Sequence, residues 1–263
     1  MARNCFRMPE SLDDLLEPTS SKVIKVSAGG RARRVLNAQL LCGVLAGPLF
    51  VTVFTVIGAA RRGYDWRCHP VSALAIGRHG WRQRTNFIVT GIFYLCAAAG
   101  LGGVDRRRVG PRIVPALAAG AGVGLIGSGV FVTDYVGTLL SDVPNDEQRN
   151  PTRSATNRPT RAGRLHDLFG MPVFAGIPLA GLISAGTAVR NRDYRWAWYS
   201  AGSSTMMAGS LLALAAAIRG APGLRARSGL VQRISLVIGL GWLSCVSLRG
   251  LTSSAASTGI TQM

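Results

Sequence analysis

The residues of this chain best suited to chemistry are two histidines and two carboxylates: His69, Asp134, His166 and Asp167. Two histidines with a carboxylate, here His69, His166 and Asp134, are a sufficient ligand set for a divalent metal such as zinc with one position left open. A metal-bound water would then attack a lipid-linked ester or phosphate, with Arg233 offsetting the developing charge. Without a metal, a histidine would act as base and a carboxylate would orient it. Each residue also has an ordinary structural reading. His69 is then a loop histidine bonded to a carbonyl, and His166 a side chain at a bilayer interface. Asp134 sits in an ion pair with Arg233 or His166, and Asp167 lies in the first turn of a helix, where the dipole favours it. No compact HxxxH spacing supports the metal, so no cofactor is expected and zinc is the alternative. Phosphate-loop, GxSxG and HExxH signatures are missing from any matching context.

The elements that must position these residues are membrane spans. The 263 residues are 48% hydrophobic and 16% charged, with a net charge of +18. Soluble domains carry about 25% charged residues. Here the apolar residues come in six blocks, at about 35–60, 87–104, 113–133, 168–189, 196–218 and 234–251. About 20 apolar residues cross a bilayer as a helix. The blocks are continuously apolar rather than alternating, which excludes barrel strands. The expectation is an all-α polytopic bundle of six transmembrane helices with the lipid bilayer as partner. The excess arginines flank the blocks, as in membrane proteins, so nucleic acid is not an expected partner.

Residues 1–34 read as a mobile tail without a signal-peptide core, and 252–263 as a second tail. The 141–163 segment reads as a disordered loop. The run Val71–Gly77 is apolar but too short to span, and predicts a re-entrant or interfacial turn. The five cysteines form no CxxC pair, so they suggest no disulfide framework or zinc knuckle.

Six spans place segments 61–86, 134–167 and 219–233 on one side of the membrane. Those segments hold the four candidates above together with Gln83, Asn86, Gln232 and Arg233. The last four are expected to hydrogen-bond between helices or to contact lipid phosphate, which suits the planar guanidinium. Arg106, Arg107, Arg108 and Arg112 form a dense basic loop, and Arg31, Arg33 and Arg34 flank the first span. Short, dense basic segments favour the cytoplasm. The expected location is the inner (plasma) membrane with the N-terminus cytoplasmic.

Within the third span Ala116, Gly120, Gly124 and Ser128 share one helix face, which allows close packing. That face is expected to pack inside the bundle, or alternatively to form a homo-oligomer. Pro172 and Pro178 predict kinks in the fourth span. Trp66, Trp81, Tyr94, Tyr135, Trp196, Trp198 and Tyr199 are expected as interface anchors. Gln39, Thr52, Thr205 and Ser210 are the modest polar candidates for a transport path.

The run CHPVSALAIGRHGWRQRTNFIVTG (Cys68 to Gly91) matches the pattern HPxSxLxxGxxGWxQxxNFxxxG. GVFVTD (Gly129 to Asp134), LHD (Leu165 to Asp167) and GLVQR (Gly229 to Arg233) follow it in order. In these runs, over about residues 35–250, the chain resembles the bacterial and archaeal membrane family called domain of unknown function 998. Tyr135 stands where that pattern has proline. The resemblance implies a multi-span membrane protein and implies no activity. The function expected is a non-catalytic membrane scaffold or lipid-binding module. The alternatives are a membrane-interface hydrolase or metal-binding protein using His69, Asp134 and His166, and a small-solute transporter.

Overall fold

A computed structural model describes residues 13–134, 160–218 and 223–259, with side chains assigned from residue 30 to residue 253 within those ranges except 218 and 225. Tyr135, most of the 141–163 loop and the last residues of the C-terminal tail lie outside the described residues. All regular structure among the described residues is helical. The helices are α1 (Asp13–Ala60), α2 (Trp81–Gly102), the short α3 (Arg106–Val109), α4 (Ile113–Val130), α5 (Arg161–Arg190), α6 (Tyr194–Ile218) and α7 (Ser228–Gly259). Five of them are long and apolar enough to cross a membrane: α2, α4, α5, the Gly30–Ala60 part of α1 and the Ser228–Ser253 part of α7. Helix α6 supplies the fifth block in chain order and packs between α5 and α7. The protein is a multi-pass membrane helix bundle.

Each long helix packs against its neighbour in sequence, and α7 returns to α1, which closes the ring. Phe50, Tyr94, Leu125, Ile177, Leu240 and Trp242 from these helices are fully buried in one continuous core.

Helix ends differ from the hydropathy limits in a consistent way. Helices α2, α5 and α7 begin at Trp81, Arg161 and Ser228 rather than near 87, 168 and 234, and α1 begins upstream of 35. Hydropathy marks where lipid-compatible side chains begin. A helix continues past that point wherever its polar side chains find partners, and Gln83 and Asn86 are buried in the first turns of α2. The kink expected at Pro172 takes the form of a π-helical turn at Pro172–Gly176 inside α5. A wider turn accommodates a residue that cannot donate to the helix ladder.

Helix α4 lies between α2 and α5. Its predicted small-residue stripe faces α5: a methyl on Gly124 would overlap the Phe169 carbonyl, and it would lie 3.3 Å from a Val173 methyl. The part of that face around Gly124 and Ser128 is therefore packed within the chain, whereas Ala116 at its start is exposed. The opposite face meets α2 backbone to backbone. A Cβ on Gly91 would lie 2.5 Å from the Gly122 oxygen, and one on Gly122 would lie 2.8 Å from the Gly91 oxygen. Trp66, Trp81, Trp198 and Tyr199 are exposed as interface anchors should be, whereas Tyr94 is fully buried and its hydroxyl donates to the Leu240 carbonyl of α7. Trp196 is also turned inward, donating from Nε1 to Ser184 Oγ and stacking on Trp242.

Candidate functional site

The 61–80 segment crosses the end of the bundle, and a buried 3-10 turn at Val71–Ala75 tucks its apolar run inward. This turn is the short apolar stretch expected from the sequence. Gly77 follows it with φ of 81°, a left-handed conformation that glycine adopts without a Cβ penalty. The preceding stretch, Trp66 to Pro70, is extended or turning and half-buried to exposed, so its carbonyls take their partners from outside any helix ladder.

The first turns of α7 supply most of those partners. Arg233 Nη1 donates to the carbonyls of Trp66 (2.6 Å), His69 (2.9 Å) and Gly229 (3.0 Å), and its Nη2 donates to the Tyr64 hydroxyl. The guanidinium also lies over the rings of Tyr64 and Phe54. The Leu230 amide donates to the Arg67 carbonyl at 2.9 Å, and Ser228 Oγ to the Cys68 carbonyl at 2.9 Å. Gln232 Oε1 accepts from the Val71 amide at 2.7 Å. Tyr64 completes the set by donating to the carbonyls of His69 and Pro70. Five consecutive carbonyls are thus satisfied. Gly229 makes the approach feasible, since a Cβ there would sit 2.8 Å from His69 backbone atoms.

His69 belongs to this clamp through its backbone and through its ring. Its Nδ1 accepts from the Asp65 amide at 2.9 Å, which places the imidazole proton on Nε2, and its ring packs against Tyr64. Burial lowers the imidazole below its ordinary range. The charges of Arg233 and Arg61 act in the same direction, and Asp65 opposes them. Burial also raises the Tyr64 phenol, against the pull of Arg233.

His166 and Asp134 lie at a different corner, between α4 and α5. A helix leaves its last carbonyls without intrahelical partners. At the end of α4, His166 Nδ1 lies 3.1 Å from the Ser128 oxygen and 2.9 Å from the Phe131 oxygen. Facing two acceptors, that nitrogen carries the proton. Arg84 Nε donates to the Gly129 oxygen at 3.0 Å, and its Nη2 reaches the Val130 oxygen. The carbonyls of residues 128 to 131 are therefore all capped by two side chains, one from α2 and one from α5. Sequence reasoning missed Arg84; its signal was a basic residue inside the long motif, beside Gln83 and Asn86.

Asp134 was expected to pair with Arg233 or His166. Its carboxylate instead accepts from the Thr160 amide (2.9 Å) and hydroxyl (2.6 Å), and Thr160 in turn accepts from the Gly163 amide as the N-cap of α5. The aspartate thus sits at the positive end of α5, which compensates for its position just past the negative end of α4. Asp167 follows His166 in the α5 sequence and is exposed.

Gln83 and Asn86 are buried in α2. Asn86 Nδ2 donates to the Phe50 carbonyl of α1 (3.1 Å) and to Gln83 Oε1 (3.3 Å), while Gln83 Nε2 has no hydrogen-bond partner among the described residues. Asn86 thus bonds across to α1, while the bond of Gln83 stays within α2.

The candidates therefore form two clusters. His69, Gln232 and Arg233 share the α7 clamp, and Asp134, His166 and Asp167 share the α4–α5 corner. Among the described residues, no group of three or more His, Cys, Asp or Glu side chains is placed to hold a metal ion. The four motifs quoted above map onto these contacts: the long motif forms the buried turn and the inner face of α2, GLVQR the clamp, and GVFVTD with LHD the corner. No curated protein and no solved structure matches the chain. Residues 44–249 do match a family described as protein of unknown function (DUF998), and the chain belongs to that family.

Proposed function

We propose that the protein is a non-catalytic membrane module, a scaffold or lipid-binding protein, of the inner membrane with its N-terminus cytoplasmic. The observation that carries this reading is the hydrogen bonding of its polar residues. His69, Asp134, His166, Gln232 and Arg233 each engage backbone groups that close the bundle, and none is left converging on a shared open space. The hydrolase alternative would need His69 to join Asp134 and His166, and these occupy separate corners. The transporter alternative would need polar groups lining a path. Thr52 and Thr205 face outward, and Ser210 Oγ donates to the Met206 carbonyl of its own helix.

Thermal unfolding of the purified protein in detergent tests the reading. Arg233→Ala and His166→Ala should each lower the midpoint by about 5 °C or more, since the first removes four hydrogen bonds between α7 and the 64–69 stretch or its own helix and the second takes the side-chain partner from the Ser128 and Phe131 carbonyls. Variants that keep the wild-type midpoint yet abolish a hydrolytic or transport activity of the reconstituted protein would overturn it.

A further inference from the structure

The end of the bundle that carries the 61–80 segment also holds a cavity of about 310 Å³, between the end of α1, the buried 3-10 turn and the start of α2. Its polar lining is Arg61, Arg62, Arg78, Arg82 and His79, and no carboxylate contributes to it. Four guanidinium groups gathered around one space repel each other unless an anion joins them. One of them is held in position: Arg61 Nη1 donates to the carbonyls of Ala73 and Leu74. Its Nη2 lies beside Gly77, where a Cβ would be 3.6 Å away. Arg62, Arg78 and Arg82 are exposed, so their side chains can turn toward a ligand, Arg82 from its place beside Trp81.

The rest of the lining is apolar, from Ile57, Ala60 and Leu74. On α1 just inside the cavity, Val56 and Ala59 face outward toward lipid. Trp81 is exposed at the same level, with the Arg82 guanidinium over its ring. An exposed tryptophan at a span end marks headgroup depth. The cavity therefore lies where a lipid headgroup sits, with cationic walls above and an apolar surface leading into the bilayer.

From this arrangement we infer that the cavity binds the terminal phosphate of an anionic lipid, a phosphomonoester headgroup whose chains lie along α1. A phosphomonoester carries close to two negative charges near neutral pH and three acceptor oxygens, so it can engage several arginine forks at once. A phosphodiester headgroup carries one charge and has one oxygen blocked on each side. The inference adds a ligand to the module proposed above and is independent of the α7 clamp.

The test uses the full chain in nanodiscs of phosphatidylcholine doped with either phosphatidic acid or phosphatidylglycerol, with bound lipid counted by native mass spectrometry. A parallel arm titrates inorganic phosphate. The variant is Arg78→Gln with Arg82→Gln, at exposed positions, checked for an unchanged unfolding midpoint. Arg61 is left intact because it caps the buried turn. Wild type should retain phosphatidic acid about tenfold better than phosphatidylglycerol, and the double variant should lose about tenfold or more of that retention, since a charge-assisted hydrogen bond contributes about a factor of ten. Equal retention of the two lipids by wild type would overturn the terminal-phosphate specificity. Unchanged retention by the double variant would overturn the site, and competition by inorganic phosphate at equal concentration would overturn the lipid as ligand. A double variant with a lowered midpoint is replaced by Arg62→Gln with Arg78→Gln, which must meet the same criterion.

Discussion

His69 shows how a residue chosen for its chemistry acquires a structural duty. Its ring accepts a backbone hydrogen bond at Nδ1, and its own carbonyl receives Arg233 and Tyr64. This arrangement requires a neutral acceptor nitrogen, and burial with two nearby arginines favours that neutral form. The folded-state pKa is therefore below the unfolded value of about 6.5. Above that unfolded value both states are neutral and the contribution is complete. As pH falls below about 6.5 the unfolded chain takes up a proton that the folded chain resists, so stability is lost toward the folded pKa. The unfolding midpoint of wild type should fall on acidification from pH ~7 to pH ~5. His69→Asn, which keeps an acceptor without a titrating ring, should fall less. Parallel pH profiles for the two proteins would remove His69 as the source.

At the scale of elements, the bundle is held by helix ends and by close helix contacts. The end of α4 is capped by side chains from both of its neighbours, and the start of α5 by Thr160 and Asp134. The α2–α4 contact depends on the reciprocal pair Gly91 and Gly122. Without a hydrophobic drive between helices in lipid, association depends on this kind of close packing. Gly91→Ala should push the helices apart and cost about 1–3 kcal/mol, the usual range for overpacking. Gly186→Ala in α5 is the matched control, because no atom lies within 4 Å of its added Cβ. It should be neutral or stabilising by up to about 1 kcal/mol. Equal effects in a denaturation series would show that the α2–α4 approach is looser than described.

For the whole molecule, the two ends of the ring are tied by different contacts. One end carries the clamp and the α4–α5 corner. At the other, Arg249 pairs with Asp193 and donates to the Arg108 carbonyl, and Asn191 donates to the Arg107 carbonyl. Desolvation pushes the Asp193 carboxyl up, but the hydrogen bonds from Arg249 and the Trp196 amide and the charges of Arg249 and Arg108 together hold it below the usual carboxylate range. The 61–80 and 105–112 segments therefore lie at opposite ends. On a background lacking the native cysteines, Arg78→Cys and Arg106→Cys should react with an impermeant thiol reagent from opposite faces of sealed vesicles, with Arg106→Cys on the cytoplasmic face. Labelling of both from one face would break the topology.

The amino-acid sequence by itself determined the class of molecule and which of its loops share an end of the bundle. Hydropathy is a property of consecutive residues, so six apolar blocks are visible without a fold, and the parity of spans then groups 61–86, 134–167 and 219–233. The small-residue stripe of α4 and the irregular turn at Pro172 in α5 were legible for the same reason, because both are periodic or local. Partner choice was not. Arg233 meets the Trp66 and His69 carbonyls only because α7 closes the ring, bringing residues more than 160 positions apart into contact. Asp134 meets Thr160, and His166 meets the end of α4, only because α4 and α5 pack side by side. Arg84 and Ser228 look like ordinary flanking residues until the orphan carbonyls they satisfy are in place. A backbone carbonyl is the same in every residue, so the need for a partner leaves no mark in the sequence, and tertiary packing alone decides which side chain meets it.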